Sequence, residues 1–268
     1  MLRARLLVAA VGIPIGVALM ILGGWYFLGA ALVLAVLALH EFYSLVRPYR
    51  PNLLVGYIAS IAAILGAEWY GRSGLLGGFM IILLLLFFWA MTGRIGEHLL
   101  GRMSVTVLGV VWIGTAFGHL ILLRNLEKGL PLIILVVGAT WFGDTAAYFV
   151  GRAFGRHRMA PRISPKKTVE GAIAGLVGAA LFGLGVKLYN DWLTTEMALY
   201  LGLIAGFAGQ WGDLFESAAK RDLQVKDSGK LLPGHGGILD RFDSIIFAGA
   251  AVYWASVFLI GDLAGSAL

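Results

Sequence analysis

The run "GGFMIILLLLFFWAM" from Gly77 to Met91 offers no polar face at helical spacing. A helix that is apolar all round belongs in lipid or deep inside a large protein. This run is one of a series, and each approaches the roughly 20 mostly apolar residues that a bilayer-spanning helix needs. The pattern predicts an all-α, polytopic membrane protein with nine spans, at roughly 6–22, 24–46, 53–69, 74–92, 105–123, 130–150, 169–188, 197–217 and 243–263. Composition agrees: only 13% of residues are charged, against about 25% in an ordinary soluble domain. The first run follows Arg3 and Arg5, as a secretory signal would. No small-x-small cleavage site precedes the next apolar run, so it is expected to be retained as a span.

Loops facing the cytoplasm carry an excess of Lys and Arg. With the N-terminus inside, that face receives Arg3, Arg5, Arg47, Arg50, Arg94, Arg102, the six basic residues from Arg152 to Lys167, and Lys220, Arg221, Lys226, Lys230 and Arg241. The opposite face receives Arg72, Arg124, Lys128 and Lys187, a ratio of 17 to 4. The expected topology is therefore N-terminus in and C-terminus out, in the inner membrane of a cell, with the polar loops in the cytoplasm. The net charge of +6 is then accounted for by anionic lipid headgroups, and no nucleic-acid partner is expected. The chain has no cysteine, which excludes disulfides and thiolate metal sites.

No linker or repeat divides the sequence, which reads as one membrane domain over 1–268. Residues 1–128 have short loops and are expected to be mainly scaffold. Residues 129–268 carry two polar insertions, 151–168 and 218–242, and chemistry is expected in this half. Gly171, Gly175, Gly178, Gly183 and Gly185 fall in the seventh span, where small residues allow helix backbones to approach closely.

Acids inside spans are costly and call for a reason. Asp144, Asp213, Glu216, Asp240 and Asp243 lie in or at the ends of the sixth, eighth and ninth spans, and Glu41 lies at a comparable depth in the second. Gln210, Asp213, Ser217 and Lys220 are three or four apart and share a helix face. Asp240, Asp243 and Ser244 form a similar face where the ninth helix starts. Two carboxylate faces beneath one basic loop, with only hard oxygen ligands, suggest magnesium. The plainer alternative pairs these acids with Lys220, Arg221 and Arg241 as interface salt bridges.

Between the two faces, Pro233-Gly234-His235-Gly236-Gly237 is a turn-rich segment whose backbone N–H groups can line an anion-binding concavity. A tight re-entry turn would look the same. His235 is open between a structural role, a phosphate contact and a metal ligand. Lys220, Arg221, Lys226 and Lys230 bracket the segment. In the other insertion, Asp144 precedes a basic stretch that ends in Ser164-Pro165-Lys166-Lys167-Thr168. Thr168 is suited to cap the next helix, with Glu170 in its first turn, and lysines beside a helix N-terminus favour an anion.

These residues resemble the phosphatidate cytidylyltransferases, also called CDP-diglyceride synthases. The likeness rests on Ser217, Lys220-Arg221, Lys226-Asp227, Ser228-Gly229, Pro233, His235-Gly236-Gly237, Asp240-Arg241 and Asp243, and on "GDTAAY" and "SPKKTVEG" upstream. The resemblance implies a dimeric membrane enzyme that joins CTP to phosphatidic acid, giving CDP-diacylglycerol and pyrophosphate. It further implies that Asp213 and Asp240 are metal ligands and that Ser217, Lys220, Arg221 and Asp243 complete the site. On that basis magnesium is held by Asp213 and Asp240 with Asp243 assisting a second cation, and Lys220, Arg221 and Arg241 screen the reacting phosphates. Lys226, Asp227, His235, Gly236, Gly237, Asp144 and Lys167 are expected substrate contacts. The competing readings are a transporter or ion-conducting protein and a cytidylyltransferase for another lipid phosphate.

Overall fold

The computed structural model describes residues 2–92, 98–229 and 236–259, with side chains from residue 10 onward. The chain is an all-α polytopic membrane protein. Among the described residues, six helices are long and apolar enough to cross a membrane: Gly24–Leu45, Leu53–Met91, Leu99–Asn125, Gly129–Phe154, Val169–Lys187 and Leu239–Leu259. A shorter apolar helix covers Ala10–Leu22. Helix α8 (Thr195–Asp222), expected as the eighth span, is not one of the six. Its Glu196, Gln210, Asp213, Glu216 and basic end dilute its apolar character.

The chain divides into two compact units, one formed by Met1–Asn125 with Asp227–Asp240, the other by Leu126–Lys226 with Arg241–Gly265. The first contains α1 (Leu2–Leu22), α2 (Gly24–Leu45), α3 (Leu53–Met91), α4 (Leu99–Gly109) and α5 (Thr115–Asn125). Helix α3 answers the expected third and fourth spans. It breaks at Gly71, whose φ of 58° and ψ of −139° leave the helical region. Gly66 and Gly74 then face each other backbone to backbone, with Gly78 against Ala63, so the two limbs fold into a hairpin. On the second limb Leu83, Leu84, Phe87 and Phe88 are exposed, as a lipid-facing surface requires. Helices α4 and α5 are joined by a wide π turn over Val110–Gly114, making one rod that starts earlier than the expected 105.

Tyr43 is fully buried in this unit, and its hydroxyl donates to the Thr106 carbonyl at 2.8 Å. Thr106 Oγ1 in turn accepts from the Asn52 N–H at 2.9 Å, while Asn52 Oδ1 caps α3 at the Val55 N–H. Arg124 donates to the carbonyls of Met20 (2.9 Å) and Ile21 (3.3 Å), satisfying the end of α1.

The second unit packs α6 (Gly129–Phe154), α7 (Val169–Lys187) and α8 on one another, with most of α9 (Leu239–Leu259). Four of the five glycines of α7, Gly171, Gly175, Gly178 and Gly183, take part in this packing as expected. Gly175 meets Gly143 of α6, Gly178 meets Ala146, and Gly183 meets Ala198 of α8, whereas Gly185 faces open space. Between α6 and α7 the polar insertion is not simply a loop. It forms an antiparallel hairpin of β1 (Arg158–Ala160) and β2 (Ser164–Thr168), closed by Ile163 N–H donating to the Ala160 carbonyl at 3.1 Å. Pro161 supplies the fixed φ that favours such a turn.

A Cβ at Gly183 would overlap the Ala198 carbonyl, and backbone there cannot yield cheaply. Gly183→Val should therefore destabilise the purified protein by about 1–3 kcal/mol. Gly185→Val on the same helix has nothing within 4 Å of its Cβ and should change stability by less than about 0.5 kcal/mol. Thermal unfolding in detergent, followed by tryptophan fluorescence, compares the two.

Candidate active site

In the second unit, the polar side chains come from β2, α6, α8 and the start of α9. Lys167 Nζ, at the end of β2, lies 2.7 Å from Asp213 Oδ2 on α8. Ser217, one turn along α8, donates through Oγ to Asp213 Oδ1 at 3.2 Å. Asp144 on α6 lies within electrostatic reach of both Asp213 and Lys167. Thr168 positions the lysine, because its side chain accepts from the Gly171 N–H at 3.1 Å and so fixes the junction of β2 with α7. Glu170, in that first turn, pairs with His157 of the insertion at 2.6 Å.

A second cluster is more deeply buried. Glu216 and Lys220 form an ion pair one turn apart, with side chains only 2% and 14% exposed. Asp243 on α9 accepts from the Ser244 N–H at 2.7 Å and interacts with Asp213, Glu216 and Lys220. Asp144, Asp213, Glu216 and Asp243 thus form one electrostatic set with Lys167 and Lys220, in which carboxylates outnumber ammonium groups. Beside it, Ala139, Thr140, Gly143, Asp144, Gly206, Gly209 and Gln210 line a cleft of about 180 Å³, counted out to solvent. Gln210 is anchored by donating to the Ala172 carbonyl at 3.0 Å.

Arg221 donates through Nε to the Ile163 carbonyl at 3.1 Å, tying the end of α8 to the β-hairpin turn. Arg241 and Lys226 are exposed, as is Asp227 at the start of the returning segment of the first unit.

In that first unit, Asp240 Oδ2 accepts from the backbone N–H groups of Ser228 (3.0 Å) and Gly237 (2.8 Å). Gly236 has a φ of +83°, and a Cβ there would lie 2.7 Å from the same oxygen, so only glycine suits the position. Lys230, Pro233, Gly234 and His235 lie outside the described residues. Among the described residues, no group of three or more His, Asp or Glu side chains is gathered tightly enough to hold a metal by itself.

Sequence reasoning placed Gln210, Asp213, Ser217 and Lys220 on one row. The structure joins Asp213 to Ser217, but it turns Lys220 onto Glu216, an acid noted in the sequence without a role. The signal was present in the four-residue spacing, which Lys220 shares with Glu216. Ser228 has no role in the sequence beyond its place in the motif, yet both its backbone and its hydroxyl engage Asp240.

Helices of spanning length, with carboxylates and ammonium groups gathered from β2, α6, α8 and α9 in the second unit, define an integral membrane protein with a charged cluster. A sequence model of the cytidylyltransferase family matches residues 3–259. The chain belongs to this cytidylyltransferase family. It is 35% identical to a phosphatidate cytidylyltransferase of Synechocystis, over 96% of this chain and 97% of that protein. It is 31% identical to one of Staphylococcus haemolyticus, over 92% and 95%, and 44% identical to one of Bacillus subtilis over 55% of each. These likenesses give no support to a transporter or to an enzyme for another lipid phosphate.

Burial separates the two lysine pairs. Glu216→Leu breaks an ion pair at its nearly inaccessible end and should cost about 3–5 kcal/mol. In the more open pair, where Lys167 and Asp213 are 26% and 34% exposed, Lys167→Met should cost at most about 1 kcal/mol. Unfolding midpoints of the two variants test this ordering.

Proposed function

We propose that this chain transfers the cytidylyl group of CTP to phosphatidic acid, forming CDP-diacylglycerol and releasing pyrophosphate. The observation that carries the reading is the joined set of Asp144, Asp213, Glu216 and Asp243 with Lys167 and Lys220. It occurs in a chain of the cytidylyltransferase family, and the Synechocystis and Staphylococcus haemolyticus relatives, matched over more than nine-tenths of this chain, bear that enzyme's name.

The second pKa of a phosphate monoester is about 6, so at neutral pH the lipid phosphate is mostly dianionic and needs no general base. One of its oxygens attacks the α-phosphorus of CTP, and the bond from that phosphorus to the bridging oxygen breaks as pyrophosphate leaves. The chief obstacle is repulsion between the two polyanions. Lys220, Arg221 and Arg241 lower it by screening the approach, and Ser217 and Lys167 hold the carboxylate of Asp213 in place. Lys226, Asp227, His235, Gly236, Gly237 and Asp144 complete the substrate contacts.

The residues fit magnesium. The donors are all oxygen, and Asp213 is one-third exposed and already holds a cationic group. Magnesium is characteristically bound by one or two carboxylates together with substrate phosphates and retained water. Asp213 and Asp240 would hold it, with Asp243 beside a second cation. When bound, the ion supplies positive charge that neutralises the polyphosphate. The excess of basic residues in the loops supports an inner-membrane location with the site facing the cytoplasm, and the family resemblance supports a homodimer.

Purified protein given CTP, magnesium and phosphatidic acid should release pyrophosphate and form CDP-diacylglycerol, and chelating the magnesium should stop both. Asp213→Asn keeps the size of the side chain and removes its charge. Turnover should fall by more than the roughly 10–100-fold that follows loss of a ligand's supporting partner, with little change in unfolding midpoint. Normal turnover in that variant would contradict the assignment.

A further inference from the structure

Glu41 is a carboxylate near the C-terminal end of an apolar helix, only 4% exposed, in the half of the sequence expected to be scaffold. Its side chain is fully engaged with one distant segment. Oε1 accepts from the Ile238 N–H at 3.0 Å. Oε2 accepts from the Leu239 N–H at 2.9 Å and from Ser228 Oγ at 3.2 Å. Leu239 is the first residue of α9 and Ile238 immediately precedes it, where backbone donors lack partners within the helix. Glu41 therefore caps α9 from another helix, with a negative charge where the helix dipole favours one.

The same segment orients Asp240. Ser228 donates its backbone N–H to Asp240 Oδ2 and accepts the Asp240 N–H on Oγ at 3.3 Å, a reciprocal clasp. Gly237 completes the hold on Oδ2. A Cβ at either Gly229 or Gly237 would overlap the Glu41 carboxylate, so both glycines make room for it. Glu41, Ser228 and Asp240 thus form one chain of hydrogen bonds within a single compact unit.

We propose that Glu41 is a positioning residue for the reaction: through Ser228 and the first turn of α9 it sets the orientation of the Asp240 carboxylate. The proposal rests on the reading of Asp240 as a reacting-site carboxylate. An acceptor-only group is required, since three donors converge on its two oxygens. Glutamine would turn an NH₂ toward one of these donors and leave a buried N–H or O–H without an acceptor.

The test compares wild type, Glu41→Gln, Ser228→Ala and the double variant in detergent, by turnover, magnesium dependence and amide hydrogen exchange. Glu41→Gln should lower turnover about 10- to 100-fold and raise the magnesium concentration for half-maximal rate. It should speed exchange in peptides covering 236–241 while exchange in α6 and α7 stays at wild-type values. The double variant should lose less than the product of the single losses, because both act through one network. Wild-type exchange in 236–241, faster exchange of equal size in α6 and α7, unchanged turnover, or fully multiplicative losses would each overturn the proposal. Exchange needs no substrate, so a wild-type protein inactive toward CTP and phosphatidic acid would defeat the proposed function and leave the exchange comparison to decide whether Glu41 holds the segment.

Discussion

A charge carried into an apolar helix has to be met there, and that requirement organises this molecule. Glu41 takes donors from Ser228, Ile238 and Leu239, and Asp213 takes Lys167 and Ser217. Glu216 takes Lys220, and Asp240 takes two backbone amides. Leaving the buried Glu41 or Glu216 without such a group would cost several kcal/mol in a low-dielectric setting. The helices are therefore fixed not only by packing small residues together but also by where these few polar contacts can close.

The two networks are built differently. Around Asp213 the acids face side-chain cations, which can exchange one cationic partner for another. Around Asp240 the acceptors face backbone N–H groups and a serine hydroxyl, which hold direction and carry no net charge to give up. A carboxylate of the first kind suits a site that must receive and release charged ligands. One of the second kind suits an element that must keep its aim while they come and go. Helix α9 carries one of the second kind in its first turn, at Asp240.

What could be read from the sequence follows the range of the interactions. The apolar runs announced the helices because hydropathy is local, and the break at Gly71 falls between the spans expected at 53–69 and 74–92. The Thr168 cap was legible for the same reason, as its partner is three residues away. The β-hairpin was missed because its strands are short and basic, with Pro161 as the one turn signal. The π turn at Val110–Gly114 leaves no mark in composition. In the site, Asp213 and Ser217 were paired correctly by spacing, but nothing local links Asp213 to Lys167. Glu41 stood out as an acid in a span, yet its partners lie in the last part of the chain and no periodicity points to them.

That separation bears on how the protein is made. Glu41 is synthesised 187 residues before Ser228 and 198 before Leu239, so α2 must wait with an unfilled carboxylate while most of the chain is threaded into the bilayer. Contacts between residues so far apart form late, since closing a long loop is entropically unfavourable until other elements have assembled. The segment that orients Asp240 is thus locked only at the end of assembly, which keeps a half-built chain from presenting this carboxylate in its working orientation.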